Sequence, residues 1–369
     1  MKITAVICEF NPFHNGHKYI LEKAREEAGE DGAVFAIMSG AFVQRGEGAI
    51  YPFHIRARAA LLCGFDAVLE LPYPWSCSGA RDFAFGAVSL AKGIGAEKIV
   101  FGSESGDTEL LKRAAANLSS DKFENALSER VLSDKSARYA EVREALYAEM
   151  YGEPLPISAN DTLGIEYIIS IGDSGITPVA YKRIKNSSAS DIREDIYKKD
   201  SPFEKDNMPR EVKEIFTDAK PFNKEKFSLA AISYLRLASI NKKDLYGMPD
   251  GLLQRIVSAA KSENDVDALL ERVKTKKYTN AAIRRAVIFS VLSTSVESVK
   301  SAPLFTRFMG ANERGREALS SVNFPVITRA ADVKKLSDEA KIQLEDVKKA
   351  DMLYSLCDDN EKSFRPLIL

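Results

Sequence analysis

The first hundred residues alternate between short apolar runs and longer stretches in which apolar side chains recur every three or four positions. The short runs are typical of strands buried on both faces, and the longer stretches are typical of amphipathic helices. Strands that alternate with helices imply a parallel sheet covered by helices on both faces. The predicted strands are residues 3–8, 33–38, 67–71 and 98–101, and the predicted helices begin after residue 17 and cover 55–63 and 80–92.

Beyond residue 105 the pattern is mostly helical, with one more apolar run that predicts a fifth strand at 176–181. Residues 108–150 are polar and helical, and we interpret them as an insertion. Residues 201–225 are rich in Lys, Glu, Pro and Asn, which is typical of a linker. The chain is therefore expected to be α/β, with a Rossmann-like parallel-sheet domain over 1–200 and a mainly α-helical domain over 226–369.

Composition excludes several classes of protein. The 369 residues carry a net charge of −1, so any nucleic-acid site has to be a local basic patch. The four cysteines are scattered without a C-x-x-C pair, which argues against a disulfide framework and against a zinc knuckle. Neither a signal peptide nor a run of transmembrane length is visible, so we expect a cytoplasmic protein without membrane contact.

The chain has three histidines, and two of them, His14 and His17, flank Gly16 where the first strand turns into the first helix. Ligands of open α/β sheets bind at this edge, and a helix N-terminus offers free N–H groups to an anion. Glycine lets the backbone approach a phosphate closely, and imidazoles can donate hydrogen bonds to phosphoryl oxygens as charge develops. The pattern predicts a polyphosphate site with His14 and His17 as its catalytic residues. The loop at Gln44-Arg45-Gly46 is expected to contact substrate at the same edge.

Two other interpretations of the histidine pair remain open at this point. The spacing brings the two rings close enough to share a metal ion, but no nearby Cys or H-E-x-x-H pattern supplies further ligands, so no metal site is expected. The pair could also be purely structural.

Two motifs resemble those of the HIGH-type nucleotidyltransferase superfamily. His14-Asn15-Gly16-His17 resembles its first motif, and Ser187-Ser188-Ala189-Ser190-Asp191-Ile192-Arg193 resembles its S-S-x-x-I-R element, which lies at a helix N-terminus over the β- and γ-phosphates. The motifs occur in the right order and in the right predicted contexts. The resemblance implies that residues 1–200 form a nucleotidyltransferase domain.

Further stretches are similar to one family of that superfamily, the bacterial tRNA(Met) cytidine acetate ligases. The similarity runs over nearly the whole chain and is densest before residue 105. It is carried by Glu9-Phe10-Asn11-Pro12-Phe13, Met38-Ser39-Gly40, Leu69-Glu70-Leu71-Pro72, Phe101-Gly102-Ser103-Glu104, Asn160-Asp161, Lys274-Thr275-Lys276-Lys277-Tyr278-Thr279 and Asn312-Glu313-Arg314-Gly315-Arg316.

This resemblance implies a two-step reaction. ATP and acetate would form acetyl-adenylate and pyrophosphate, and the N4 amine of the wobble cytidine in elongator tRNA(Met) would then take the acetyl group. Mg²⁺ would accompany ATP, held mainly by the phosphates. The ATP contacts that the resemblance implies are Ile7, Cys8, Glu9, Phe10, Asn11, Pro12, Phe13, His14, Asn15, Gly16, His17, Ile20, Gly102, Asn160, Arg183, Ser187 and Ser188.

A basic cluster in the helical part of the chain is the candidate tRNA site. Its density, with Tyr278 beside it, suits contact with a phosphate backbone, although such runs commonly form a solvated helix face. The cluster consists of Arg272, Lys274, Lys276, Lys277, Arg284 and Arg285.

Two rival functions share parts of this pattern. A small-molecule adenylyltransferase acting on a phosphorylated cofactor precursor would have both motifs but would not need a basic helical domain. A non-catalytic RNA-binding protein with a degenerate nucleotide site would not need intact His14, Gly16 and His17. The chain also departs from the family pattern in having a short segment between Arg183 and Ser187.

Overall fold

The computed structural model describes residues 1–133, 138–184, 189–198, 207–240 and 244–360, together with the backbone of 367–368. Its strands are β1 (Ile3–Cys8), β2 (Ala33–Ser39), β3 (Phe42–Val43), β4 (Glu47–Gly48), β5 (Ala67–Leu71), β6 (Ala96–Ser103), β7 (Thr177–Lys182), β8 (Thr306–Ala311), β9 (Val326–Ile327) and β10 (Leu367–Ile368). Its helices are α1 (Asn15–Ala28), α2 (Phe53–Leu62), α3 (Ala80–Gly93), α4 (Thr108–Leu118), α5 (Asp121–Ser133), α6 (Tyr139–Tyr151), α7 (Ala159–Ile171), α8 (Ala189–Lys198), α9 (Arg210–Asp218), α10 (Lys224–Leu237), α11 (Leu252–Ala260), α12 (Val266–Val273), α13 (Asn280–Leu292), α14 (Glu313–Ser320) and α15 (Asp338–Leu356).

A mostly parallel sheet forms the centre of the molecule, which confirms the α/β prediction. Over the described residues its order is β10-β8-β5-β2-β1-β6-β7, with β9 beside β8. The five strands predicted from sequence, β1, β2, β5, β6 and β7, pair in parallel. Their apolar side chains are buried because helices cover both faces, with α3, α4 and α7 on one side and α1, α2 and α9 on the other. The carboxyl ends of these strands meet at one edge.

The last third of the chain contributes strands to this sheet, whereas the sequence analysis places all of 226–369 in a mainly helical domain. β8 pairs antiparallel with β5, and β9 and β10 pair in parallel with β8. β8 lacks a clear apolar alternation because it contains Arg307, whose charge is met by ion pairs with Glu70 and Asp351. Only the short extended piece at 324–328, where β9 lies, has a strand pattern. Residues 224–240 and 244–292 contain the helices α10 to α13, which pack together.

The predicted linker at 201–225 contains a helix. α9 buries Val212 and Phe216 against the face of the sheet domain that carries α2. Apolar residues four positions apart lie on one side of a helix, and that spacing was hidden by the charged residues around them. Residues 201–206 lie outside the described part of the chain. Within the described ranges, no helix is both long and apolar enough to cross a bilayer.

Arg56, in α2, is the most deeply buried charged side chain near the edge of the sheet. Its side chain is fully buried and donates four hydrogen bonds of 2.5–2.9 Å to backbone carbonyls. The acceptors are Glu9 after β1, Ser39 at the end of β2, Gly40 directly after it, and Tyr51 in the loop between β4 and α2. Arg56 therefore holds together the loops that leave the two central strands.

We expect Arg56→Leu to lower the free energy of unfolding by about 3 kcal/mol or more. Each buried carbonyl left without a donor costs about 1–3 kcal/mol. Arg58→Leu is the matched control, because Arg58 lies in the same helix and is exposed, and it should change stability by no more than about 0.5 kcal/mol. Urea unfolding of both variants measures the difference, and equal effects would contradict the role of Arg56.

Candidate active site

The two predicted catalytic histidines cap the N-terminus of α1. His14 is the N-cap residue, and its Nδ1 accepts a hydrogen bond of 3.0 Å from the backbone N–H of Gly16. The backbone N–H of His14 in turn donates to Nδ1 of His17 at 3.2 Å. This is a capping box built from histidines, which satisfies two N–H groups that the helix cannot. In the sequence, this capping box is indicated by the three-residue spacing between His14 and His17.

The hydrogen bonds assign the protonation state of both rings. A nitrogen that accepts an N–H has no proton of its own, so the single proton of each neutral imidazole is on Nε2. Burial lowers the pKa of His14 to about 4, and the charges of Arg183 and Arg193 add to the effect. Burial, together with His14 and Arg183, lowers the pKa of His17 well below its ordinary value. Both residues are therefore neutral Nε2–H donors near pH 7.

Aromatic packing orients the two rings. The imidazoles stack with their centroids 3.7 Å apart and their planes 19° apart. Phe10 lies edge-on to His17 at 5.0 Å, and Phe13 lies 5.5 Å from the same ring. Because Phe13 is fully buried, it supports the histidines from the core.

A cavity of about 890 Å³ opens at this edge of the sheet. Twelve of the expected ATP contacts line it: Ile7, Cys8, Glu9, Phe10, Asn11, His14, Gly16, His17, Ile20, Gly102, Asn160 and Arg183. Pro12, Phe13 and Asn15 are not among its lining residues. Pro12 and Phe13 are buried, and the backbone N–H of Asn15 donates to the carbonyl of Asn207. Ser187 and Ser188 lie outside the described residues.

Part of the cavity wall is organised around Glu104. Its carboxylate accepts hydrogen bonds from the side chains of Ser158 and Asn160 and from the backbone N–H groups of Asn160 and Asp161 at the start of α7. Desolvation alone would raise the pKa of Glu104, but the hydrogen bonds from Asn160 and Ser158 outweigh it and lower that pKa. Arg183 lies 3.5 Å from the same carboxylate. Asn160 and Arg183 are thus held in place on the wall of the cavity.

Gly102 keeps the cavity open between β6 and α1. A Cβ at this position would lie 3.1 Å from Cγ of Arg183 and 3.3 Å from Cδ1 of Ile20. A side chain here would therefore push against two other expected ATP contacts.

Comparison with known proteins agrees with this geometry. A family model described as HIGH Nucleotidyl Transferase matches residues 1–366. The tRNA(Met) cytidine acetate ligase of Caldicellulosiruptor saccharolyticus is 33% identical over 343 residues, which cover 87% of this chain and 85% of that protein. The enzyme of the same name from Thermotoga maritima is 33% identical over 377 residues, which cover 91% of this chain and 89% of that protein.

Solved structures agree as well. The crystal structure of Thermotoga maritima TmcAL bound with alpha-thio ATP has a TM-score of 0.89 to this chain, with 32% identity and complete coverage of both chains. The apo form of the same protein has a TM-score of 0.90 at 31% identity. This chain belongs to the tRNA(Met) cytidine acetate ligase family.

In this acetate ligase family member the cavity also contains cationic residues that were not among the expected ATP contacts, although the loop of Arg45 was expected to contact substrate. Arg193, which ends the second motif, donates to the carbonyl of Asn11 at 2.8 Å, and Arg45 donates to the hydroxyl of Ser190 at 3.1 Å. Both arginines and Lys182 line the cavity with Arg183. Arg193 could have been predicted from the sequence, because it is the last residue of the second motif. For Lys182 the sequence offers only its position at the end of β7.

The basic cluster is divided in this member of the acetate ligase family. Arg284 pairs with Glu47 and Asp267, and Arg285 donates to the carbonyl of Gln44 at 2.7 Å. These two expected RNA contacts therefore hold the β3–β4 turn instead of forming a free surface. The remaining members are exposed, with Arg272 paired to Glu263 and Lys274 to Glu271. Lys276 and Lys277 lie in the turn before α13.

The histidine cap predicts how stability depends on pH. Because the folded-state pKa of His14 is about 4 and the ordinary value is 6.5, the unfolded chain binds more protons between these values, so stability falls as pH falls through this window. His14→Asn keeps an acceptor for the N–H of Gly16 and removes the titrating group. Between pH 7 and pH 5 the wild type should lose about 2 kcal/mol more than the variant. Urea unfolding at the two pH values measures this, and an identical pH dependence would contradict it.

Proposed function

We propose that this chain forms acetyl-adenylate from ATP and acetate and transfers the acetyl group to N4 of the wobble cytidine of elongator tRNA(Met). The observation that supports it most is the pair of neutral Nε2–H donors at the N-terminus of α1, inside a cavity lined by several arginines. Membership of the family supports the choice of substrates.

The geometry suits attack of an acetate oxygen on the α-phosphorus. The new P–O bond forms as the bond to the β-phosphate bridging oxygen breaks, and pyrophosphate leaves with that electron pair. The Nε2–H groups of His14 and His17 can donate to α-phosphate oxygens, on which charge builds up in the transition state. Arg45, Arg183 and Arg193 provide cations for the β- and γ-phosphates. No covalent enzyme intermediate is needed.

Mg²⁺ fits this site as a companion of ATP. The described part of the chain contains no group of three or more side chains suited to hold a metal ion, and the cavity offers more cations than carboxylates. The ion would therefore be held mainly by the phosphates, where it neutralises their charge.

The turn at residues 274–278 is our proposed contact for the tRNA. It carries Lys276 and Lys277, and Arg138 at the start of α6 donates to the carbonyl of Lys276. α13 follows this turn and contacts the loop that contains Gln44 and lines the cavity. The helices α10 to α13 form a helical layer. A tRNA bound at the turn would thus lie on the part of this helical layer next to the cavity. A tRNA substrate also implies a cytoplasmic location.

We expect acetate-dependent exchange of pyrophosphate into ATP by the purified protein. His14→Asn and His17→Asn should each reduce the exchange rate by about 10²–10³-fold, because each removes one donor to the developing charge. His54→Asn is the matched control, since His54 lies in α2 away from the cavity lining, and it should stay within about twofold of wild type. An exchange rate that does not depend on acetate, or that is unchanged in His14→Asn, would contradict the proposal.

We expect the double variant Lys276→Glu, Lys277→Glu to bind tRNA(Met) about 10-fold more weakly while pyrophosphate exchange is retained. The slope of log affinity against log salt concentration should become shallower by about 1–2 units, one for each lost phosphate contact. Lys348→Glu, on the exposed side of α15, is the charge-reversal control. Filter binding at several salt concentrations measures both, and an unchanged slope would show that the tRNA binds elsewhere.

A further inference from the structure

Glu9 is a cavity-lining carboxylate whose hydrogen bonding is incomplete. It follows β1 directly, and its Oε1 accepts a hydrogen bond of 2.9 Å from the backbone N–H of Gln44. Among the described residues, no hydrogen bond reaches Oε2, and the nearby arginines act on the carboxylate through their charge and not as ion-pair partners. Glu104 differs, because both of its oxygens accept hydrogen bonds from the start of α7.

Burial favours uptake of a proton by the Glu9 carboxylate, and the nearby arginines favour its ionised form. Burial raises its pKa, and the hydrogen bond from Gln44 and the charges of Arg193, Arg45 and Arg56 oppose this without cancelling it. The guanidinium of Arg56 is directed at backbone carbonyls, one of which belongs to Glu9 itself. The result is a carboxylate that is oriented by one oxygen and has its other oxygen unused.

The histidines are unable to act as bases in this site. Nδ1 of His14 and Nδ1 of His17 each accept a backbone N–H, and each Nε2 carries the remaining proton. Burial raises the pKa of Tyr167 and of Cys8, so the phenol and the thiol that border the cavity stay protonated. A reaction that releases a proton here therefore requires a different acceptor.

Transfer of an acetyl group to an amine is such a reaction. The cytidine N4 has a weakly nucleophilic lone pair, and its attack on the acetyl carbonyl carbon forms a C–N bond and leaves a surplus proton on nitrogen. The C–O bond to the adenylate then breaks, and AMP leaves with the electron pair. The proton must pass to a base if the amide is to form.

We propose that Glu9 is the general base of the acetyl-transfer step and takes the N4 proton on Oε2. This assignment rests on the proposed function. The proton passes from Glu9 to solvent once AMP and the tRNA leave. A positioned general base typically contributes about 10²–10⁴-fold to rate, so its loss should slow transfer far more than adenylate formation.

The variant Glu9→Gln tests this directly. The amide oxygen can still accept the N–H of Gln44, so the loop is held, while the basic oxygen is lost. We expect single-turnover transfer from ATP and acetate to tRNA(Met) to fall by at least about 100-fold. Pyrophosphate exchange, and acetohydroxamate formation when hydroxylamine replaces the tRNA, should fall much less, because hydroxylamine is nucleophilic without a base.

Two further variants distinguish a general base from a residue that only supports the cavity. Glu104→Gln, which disturbs Asn160, should lower exchange and transfer in the same proportion. Glu9→Asp retains a carboxylate and should transfer faster than Glu9→Gln.

Three results would overturn the role of Glu9. The first is transfer by Glu9→Gln within about threefold of wild type, which would mean that the adenylate phosphate or water takes the proton. The second is an equal loss of exchange and transfer, and the third is an aspartate variant no faster than the glutamine variant. By contrast, absence of acetate-dependent exchange in the wild type would refute the proposed function itself.

Discussion

The buried guanidinium of Arg56 is the constraint on which the site depends. A charged group in the protein interior is costly unless its donors are satisfied, and here backbone carbonyls satisfy them without a carboxylate. Because three of those carbonyls, of Glu9, Ser39 and Gly40, lie where β1 and β2 end, the same hydrogen bonds that satisfy the charge also fix the directions in which both loops leave the sheet. The first of these loops leads to His14, and the second leads to Gln44.

In each of the two histidines, one ring nitrogen has a structural role and the other is free for a chemical role. Nδ1 of each ring serves the fold, since it satisfies a backbone N–H in the capping box, and Nε2 of each ring is left with a proton that can serve the substrate. A structural role and a catalytic role for this pair are therefore compatible. The cap also explains why the rings stay neutral, because a protonated Nδ1 would lose its hydrogen bond to the backbone.

The helical layer of α10 to α13 supports a loop of the cavity that lies far from it in the sequence. Phe42 and Val43 of the β3–β4 hairpin are buried in the same apolar core as α10 to α13. Gly46 in the turn has a φ of 76°, and a Cβ there would lie 2.6 Å from the backbone nitrogen of Arg285. The cavity loop is thus closed by residues that follow it by about 240 positions, and the layer cannot be treated as an appended module.

Local sequence determined the parallel strands, the helix that starts at the histidines and the histidine cap of the first loop. These features arise from apolar periodicity and from neighbours only a few residues apart, so a linear pattern contains them. Only the tertiary structure decided that β8 joins the sheet, that Arg284 and Arg285 turn inward, and that Arg193 and Lys182 reach the cavity. Each of these depends on a partner far along the chain, such as Glu70 for Arg307 or Gln44 for Arg285. A charged side chain looks the same in a sequence whether it faces water or a buried partner, and only the folded chain distinguishes the two.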